Sequence, residues 1–181
     1  MKILDINTSM SELSKLKPHT LAKKLKTYCF DLFIKTWAKT REKLIIDNGK
    51  LRTYLKFKYS FECEKYLTFI EDFQKRKIYT KFRISNHKLK VELGRYLKPY
   101  LPFEERICEK CFSDDIEDEI HFLLQCPNYS QKRKSLLNSI NKDCPAFNNL
   151  NYVNKFIWLM TMENDNIIRK VSEFLYENLP T

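Results

Sequence analysis

Arg106–Tyr129 reads RICEKCFSDDIEDEIHFLLQCPNY. Its Cys and His residues follow C-x2-C-x9-H-x4-C, at Cys108, Cys111, His121 and Cys126. Two thiolates two residues apart can face one ion if the backbone turns between them, and a second pair from a helix then completes a tetrahedron. Three Cys and one His saturate a four-coordinate zinc ion (Zn2+) at roughly 2.0–2.3 Å, which leaves no open position for water or substrate. The spacing therefore predicts a closed, structural zinc knuckle rather than a hydrolytic centre. A C-x-x-C pair alone would also suit redox chemistry; the downstream H-x4-C shifts the reading to metal.

The acids between the two ligand pairs have a local explanation. Asp114 and Asp115 can cap a helix start, and Glu117, Asp118 and Glu119 suit its first turn, where the helix dipole favours negative charge. His121 then lies on that helix and Cys126 just past its end, where Pro127 stops continuation. Magnesium held by DDIEDE for nuclease chemistry is the sharper alternative, but a capped helix accounts for the same acids more simply.

Upstream, Thr20–Ile46 has helical spacing at Leu21, Leu25, Cys29, Leu32, Phe33, Trp37 and Leu44, with lysines opposite and a stop at Asn48-Gly49. Residues 51–60 read as extended or helical with equal weight. Phe61–Arg83 reads as one long helix, interrupted at Ser85-Asn86-His87. Residues 1–19 read as a loose arm with a short helix near Met10–Leu16, and His19 as a loop residue without a role. Downstream, helices are expected over Ser130–Ile140, Leu150–Met162 and Ile167–Leu179. The domain reading is an arm at 1–19, a basic helical region at 20–103, a zinc knuckle at 104–130, and C-terminal helices at 131–181 packing on the same core.

Composition agrees with a mostly α fold. Hydrophobic residues make up 43% of the 181, with only 2 Gly, which supports a real core with little turn punctuation. No window offers the roughly 18 apolar residues of a membrane span, and the first residues do not form a secretory signal. An intracellular protein is expected, with nuclear residence a further option; the basic runs QKRK and KRK are too short to decide it. Cys29, Cys63 and Cys144 lack ligand spacing and read as core or surface thiols.

Charge is uneven. Residues 1–107 carry 25 Lys+Arg against 12 Asp+Glu, a net +13, whereas residues 108–181 carry 8 against 11, a net −3. The basic half is the one to suspect of touching a polyanion. Lys75, Arg76, Lys77, Lys81 and Arg83 cluster on one expected helix, interleaved with Tyr79 and Phe82, and His87, Lys88 and Arg95 extend the set, although a local hydrogen-bonding role suits His87 better than phosphate contact. Such residues can neutralise phosphates while aromatics stack on unpaired bases. A solvated helix face with its aromatics in the core explains them equally well, and either way Tyr79 or Phe82 should be buried.

KFRISNHKLKVELGRY (Lys81–Tyr96), ERICEKC (Glu105–Cys111) and EDEIHFLLQCPNYSQKRKSL (Glu117–Leu136) together resemble the C-terminal zinc-binding region of non-LTR retrotransposon reverse transcriptases. FIWLMT (Phe156–Thr161) and the FLYENL ending are similar to the tails of such elements. The resemblance implies a zinc-binding helical module that handles element RNA or target DNA, with Cys108, Cys111, His121 and Cys126 as ligands. The F/Y-x-D-D motif, the fingers and palm, and any endonuclease domain are absent from these residues, so catalysis does not carry over. The leading expectation is a noncatalytic zinc module contacting RNA or single-stranded DNA through its basic half, with a retroelement polymerase as a further partner. A protein-interaction module and an inert or domesticated remnant are the alternatives; oligomeric state stays open. No P-loop, G-x-S-x-G or H-E-x-x-H motif argues for an enzyme.

Overall fold

The computed structural model describes residues 14–46, 49–59 and 62–180, apart from the side chains of 38 and 41–46. The expected stop at Asn48 and most of the expected helix at Met10–Leu16 lie outside the described residues. The protein is mostly α-helical, and it divides into two compact units, Met1–Ile46 and Asp47–Thr181. Among the described residues no helix is long and apolar enough to cross a membrane.

The first unit is carried by one helix, α1 (Pro18–Ile46). Pro18 opens it, where the missing N–H costs nothing, so His19 is helical rather than part of a loop. None of the side chains described on α1 is fully buried; Leu25, Tyr28, Phe30, Leu32 and Ile34 are exposed.

The second unit begins with a 3-10 turn at Tyr54–Lys56 that buries Leu55 and Phe57. Helices α2 (Tyr66–Phe69) and α3 (Phe73–Arg83) follow. The single helix expected over Phe61–Arg83 is therefore two. Ile70 is extended and buried between them, and the Asp72 side chain accepts a 2.8 Å hydrogen bond from the Lys75 amide, which starts α3 afresh. A short α4 (Lys90–Leu93) leads through Gly94 to a Pro-rich loop. A Cβ on Gly94 would lie 2.7 Å from Arg106 Nε, so any larger residue here forces that arginine to shift.

Helices α5 (Ser130–Asp143), α6 (Tyr152–Thr161) and α7 (Asp165–Asn178) complete the unit, close to the spans expected. Asn151 and Asn164 cap α6 and α7 by accepting from the Asn154 and Ile167 amides. Helix α7 buries Ile167, Ile168, Val171, Phe174 and Leu175, and α3 and α5 pack against it. Phe82 on α3 sits 6.0 Å from the Phe122 ring and 6.2 Å from Phe156, and Phe122 sits 5.5 Å from Phe174. Burying one such ring contributes about 1.5–3 kcal/mol. Because Phe122 follows His121 directly, this aromatic cluster roots the ligand-bearing turn in the helical core.

Candidate metal centre

The two ligand pairs are positioned by different devices. Ile107 and Ile116 form an antiparallel bridge, within which the Cys108 amide donates to Asp115 O at 2.8 Å and the Glu117 amide to Arg106 O at 2.9 Å. The chain turns back between them, with Phe112 (φ 53°) and Asp114 (φ 57°) in the left-handed region. That conformation costs a non-glycine residue roughly 1–2 kcal/mol, and it turns the chain straight after Cys111. The second pair stands on a π-helical turn, His121–Gln125, closed by a 2.7 Å bond from the Cys126 amide to His121 O. In an α-helix, residues five apart point about 140° away from each other. The wider i→i+5 turn brings Cys126 back towards His121, and π turns of this kind recur at functional sites.

Together they gather Cys108, Cys111, His121 and Cys126 so that all four ligand atoms lie within 4.8 Å of one another. Cys108 Sγ and Cys126 Sγ are 3.9 Å apart, and Cys111 Sγ and His121 Nε2 are 3.3 Å apart. A tetrahedral ion with bonds of roughly 2.0–2.3 Å needs edges of about 3.5–3.8 Å. The widest separation exceeds that by about an ångström, within reach of small side-chain rotations. These residues can therefore hold one metal ion. Among the described residues no acidic trio is gathered as these four side chains are.

The four side chains differ in how their surroundings hold their protons. Burial pushes the Cys108 thiol up to about 12 and raises Cys126 as well; without an ion these sulfurs stay protonated, whereas a coordinating ion deprotonates them outright. Cys111 is pushed up by its own desolvation, but hydrogen bonds from Ser113, whose Oγ lies 3.1 Å from the sulfur, leave it below its ordinary value. Desolvation lowers His121, keeping the imidazole neutral and able to bind. Its Nε2 faces Cys111, and its Nδ1 lies 3.7 Å from Asp115 Oδ2. At that distance the carboxylate makes no hydrogen bond, and Nδ1 is buried without a partner.

The acid run does more than cap a helix, which corrects the sequence expectation. Asp118 is the residue that caps, its Oδ1 accepting from the His121 amide at 2.8 Å. Glu117 Oε2 accepts from the Lys90 amide at 2.8 Å. Glu119 is fully buried: Arg52 reaches it at 2.6 Å, Ser85 Oγ donates to it at 2.7 Å, and His87 Nε2 lies 3.0 Å away. Burial alone would raise its carboxyl, yet hydrogen bonding from His87 and the charge of Arg52 hold it at about 2. Arg52 also binds Glu92 at 2.8 Å. This network ties the segment just before His121 to residues 52–92, partners that local spacing does not reveal.

The expected phosphate-contacting residues do not form one surface. Arg83 is buried, bonded to Met160 O at 2.6 Å and Glu64 at 2.7 Å, with its guanidinium over the Phe57 ring. His87 is buried on Glu119, and Arg95 is half-buried with its Nε 3.1 Å from Glu92. Arg76 turns inward to Ile70 O, and Lys75 is half-buried. Lys77 and Lys88 are exposed, and Lys81 is half-buried like Lys75. Tyr79 and Phe82 are both core residues; the exposed aromatic of α3 is Phe73, at its start, which the sequence reading passed over. A scan against protein-family models finds no match to this chain, and searches of curated proteins and of solved structures find none either.

Proposed function

We propose that this chain is a noncatalytic helical module whose second unit is organised by one structural zinc ion on Cys108, Cys111, His121 and Cys126. The observation that carries the reading is the gathering of three sulfurs and one imidazole nitrogen within 4.8 Å. Thiolate-rich sets with one imidazole suit zinc, and four protein ligands leave no position for a reacting group. Native mass spectrometry and metal analysis of the purified chain test this directly. About one zinc per folded chain is expected; a folded chain without metal overturns it.

Contact with single-stranded RNA or DNA is the second reading, favoured by the +13 charge of residues 1–107. On α3 the cations available to it include Lys77 and Lys81, one helical turn apart, while Tyr79 and Phe82 are buried. Phe73, 62% exposed on the same helix, offers a ring for base stacking. A titration at low salt checks it: Lys77→Glu with Lys81→Glu should weaken binding and flatten the salt slope by about 2. Absence of binding at low salt overturns it. The tie to a retroelement polymerase rests on the sequence motifs alone.

A further inference from the structure

Three thiolates, a neutral imidazole and a divalent ion together carry one net negative charge. Here that charge is buried, with Cys108, His121 and Cys126 each 2% exposed or less. An uncompensated charge in such surroundings is costly. Of the neighbouring acids, Asp115 is 61% exposed and Glu117 has Lys110 Nζ at 3.6 Å. A matching anomaly lies beside it on α5. Arg133 is 4% exposed, and among the described residues no carboxylate forms an ion pair with it. Its Nη1 donates to Leu124 O at 2.7 Å and its Nη2 to Cys126 O at 2.6 Å, while its Nε has no partner. Arginine does not shed its proton in a protein, so this is a buried cation without an anion, bonded to the backbone of a metal ligand.

We propose that Arg133 is the counterion of the metal centre: its fixed charge neutralises a divalent ion on three thiolates and one imidazole, and so favours that ion and ligand charge over neutral sets. This rests on the zinc reading above. Arg106 is also buried, but its donors go to Leu101 and Val91 carbonyls, away from the ligand turn. Arg133 instead grips the two carbonyls that end it, so charge and position act at one place. Buried thiols and a buried arginine, each unfavourable alone, become mutually favourable once the ion is bound.

The test is chelator-competition zinc affinity on the full chain, in a cycle with Cys111→His. That change makes the divalent site formally neutral, at the most exposed of the four ligands. In the wild-type background Arg133→Met should lower affinity about 10- to 100-fold, the range for partners just outside the ligands. In the Cys111→His background, with four-coordination verified by cobalt(II) absorption, the same change should cost less than about threefold. Arg133→Lys keeps the charge but loses the two-pronged carbonyl grip, and should stay much closer to wild type than Met. Equal losses in both backgrounds, or Lys as poor as Met, reduce Arg133 to a backbone clamp and overturn the inference. Should Arg133→Met not fold, Arg133→Gln, neutral and still able to donate to a carbonyl, takes its place in both backgrounds and as the comparator for Lys. A wild-type chain that takes up no zinc overturns the metal reading and this inference with it; intact zinc uptake without coupling overturns this inference only.

Discussion

Helix α1 and the unit from Asp47 to Thr181 both contain Leu, Phe and Lys in number, yet they hold their structure by different means. In the second unit, side chains far apart in sequence meet: Arg52 with Glu119, Arg83 with Glu64 and Met160 O, Phe82 with Phe122 and Phe156. Helix α1 shows bonds of short range, such as Thr27 Oγ1 to Lys23 O and Thr36 Oγ1 to Leu32 O, and none of its described side chains is fully buried. Most helical stability in proteins comes from packing an apolar face. Apolar content alone therefore does not make a core; convergence of distant residues does, and here it converges on the four ligands and the rings behind them.

The largest expected effect comes from removing the metal site. On the proposed zinc reading, Cys108→Ser, or chelation, should unfold much of Asp47–Thr181, because binding free energy at a structural zinc site is folding free energy, on the order of 10 kcal/mol. Hydrogen exchange resolves the contrast: amides of α3, α5 and α7 should lose protection, while those of α1 exchange fast throughout. Protection in α1 that vanishes with the metal would show that its stability depends on the second unit. Next is Phe82→Ala, which empties the centre of the ring cluster without touching a ligand. A loss of about 3–5 kcal/mol in denaturant unfolding is expected, and a loss below about 1 kcal/mol would place the cohesion elsewhere.

Much of this was legible beforehand wherever the signal is local. The ligand spacing, the amphipathic spans of α5 to α7, and the burial of Tyr79 and Phe82 all follow from short-range pattern. What stayed hidden is long-range pairing. Arg83 reads as a surface cation until Glu64 and the Met160 carbonyl close around it. Glu119 reads as a dipole partner until Arg52, Ser85 and His87 arrive from 32 to 67 residues away. The π turn that aligns His121 with Cys126 is likewise set by its environment, since HFLLQ has no composition that marks it.

A smaller effect appears at alkaline pH. Burial raises the Tyr79 hydroxyl from 10.0 to about 12, the nearby Arg83 opposing it. The folded state thus holds this proton more tightly than the unfolded chain. The associated stability is whole below pH 10, declines as pH rises, and is gone above about 12, amounting to at most about 3 kcal/mol. Unfolding free energies at pH 9 and 11 should show a drop that is shallower in Tyr79→Phe. Identical slopes would mean the hydroxyl is solvated.

The smallest change is expected at Leu25→Ala on α1. Leu25 is 49% exposed, so truncation removes little buried area, and alanine is the stronger helix former. The unfolding free energy of the chain should move by less than about 0.5 kcal/mol, in either direction. The equivalent truncation at Leu123, which is fully buried beside the ligand His121, should cost about 2–5 kcal/mol. The two leucines differ in nothing but surroundings. If both truncations cost several kcal/mol, α1 is covered in solution by a partner surface, and its exposed Leu, Tyr, Phe and Ile residues are an interface rather than a solvated helix.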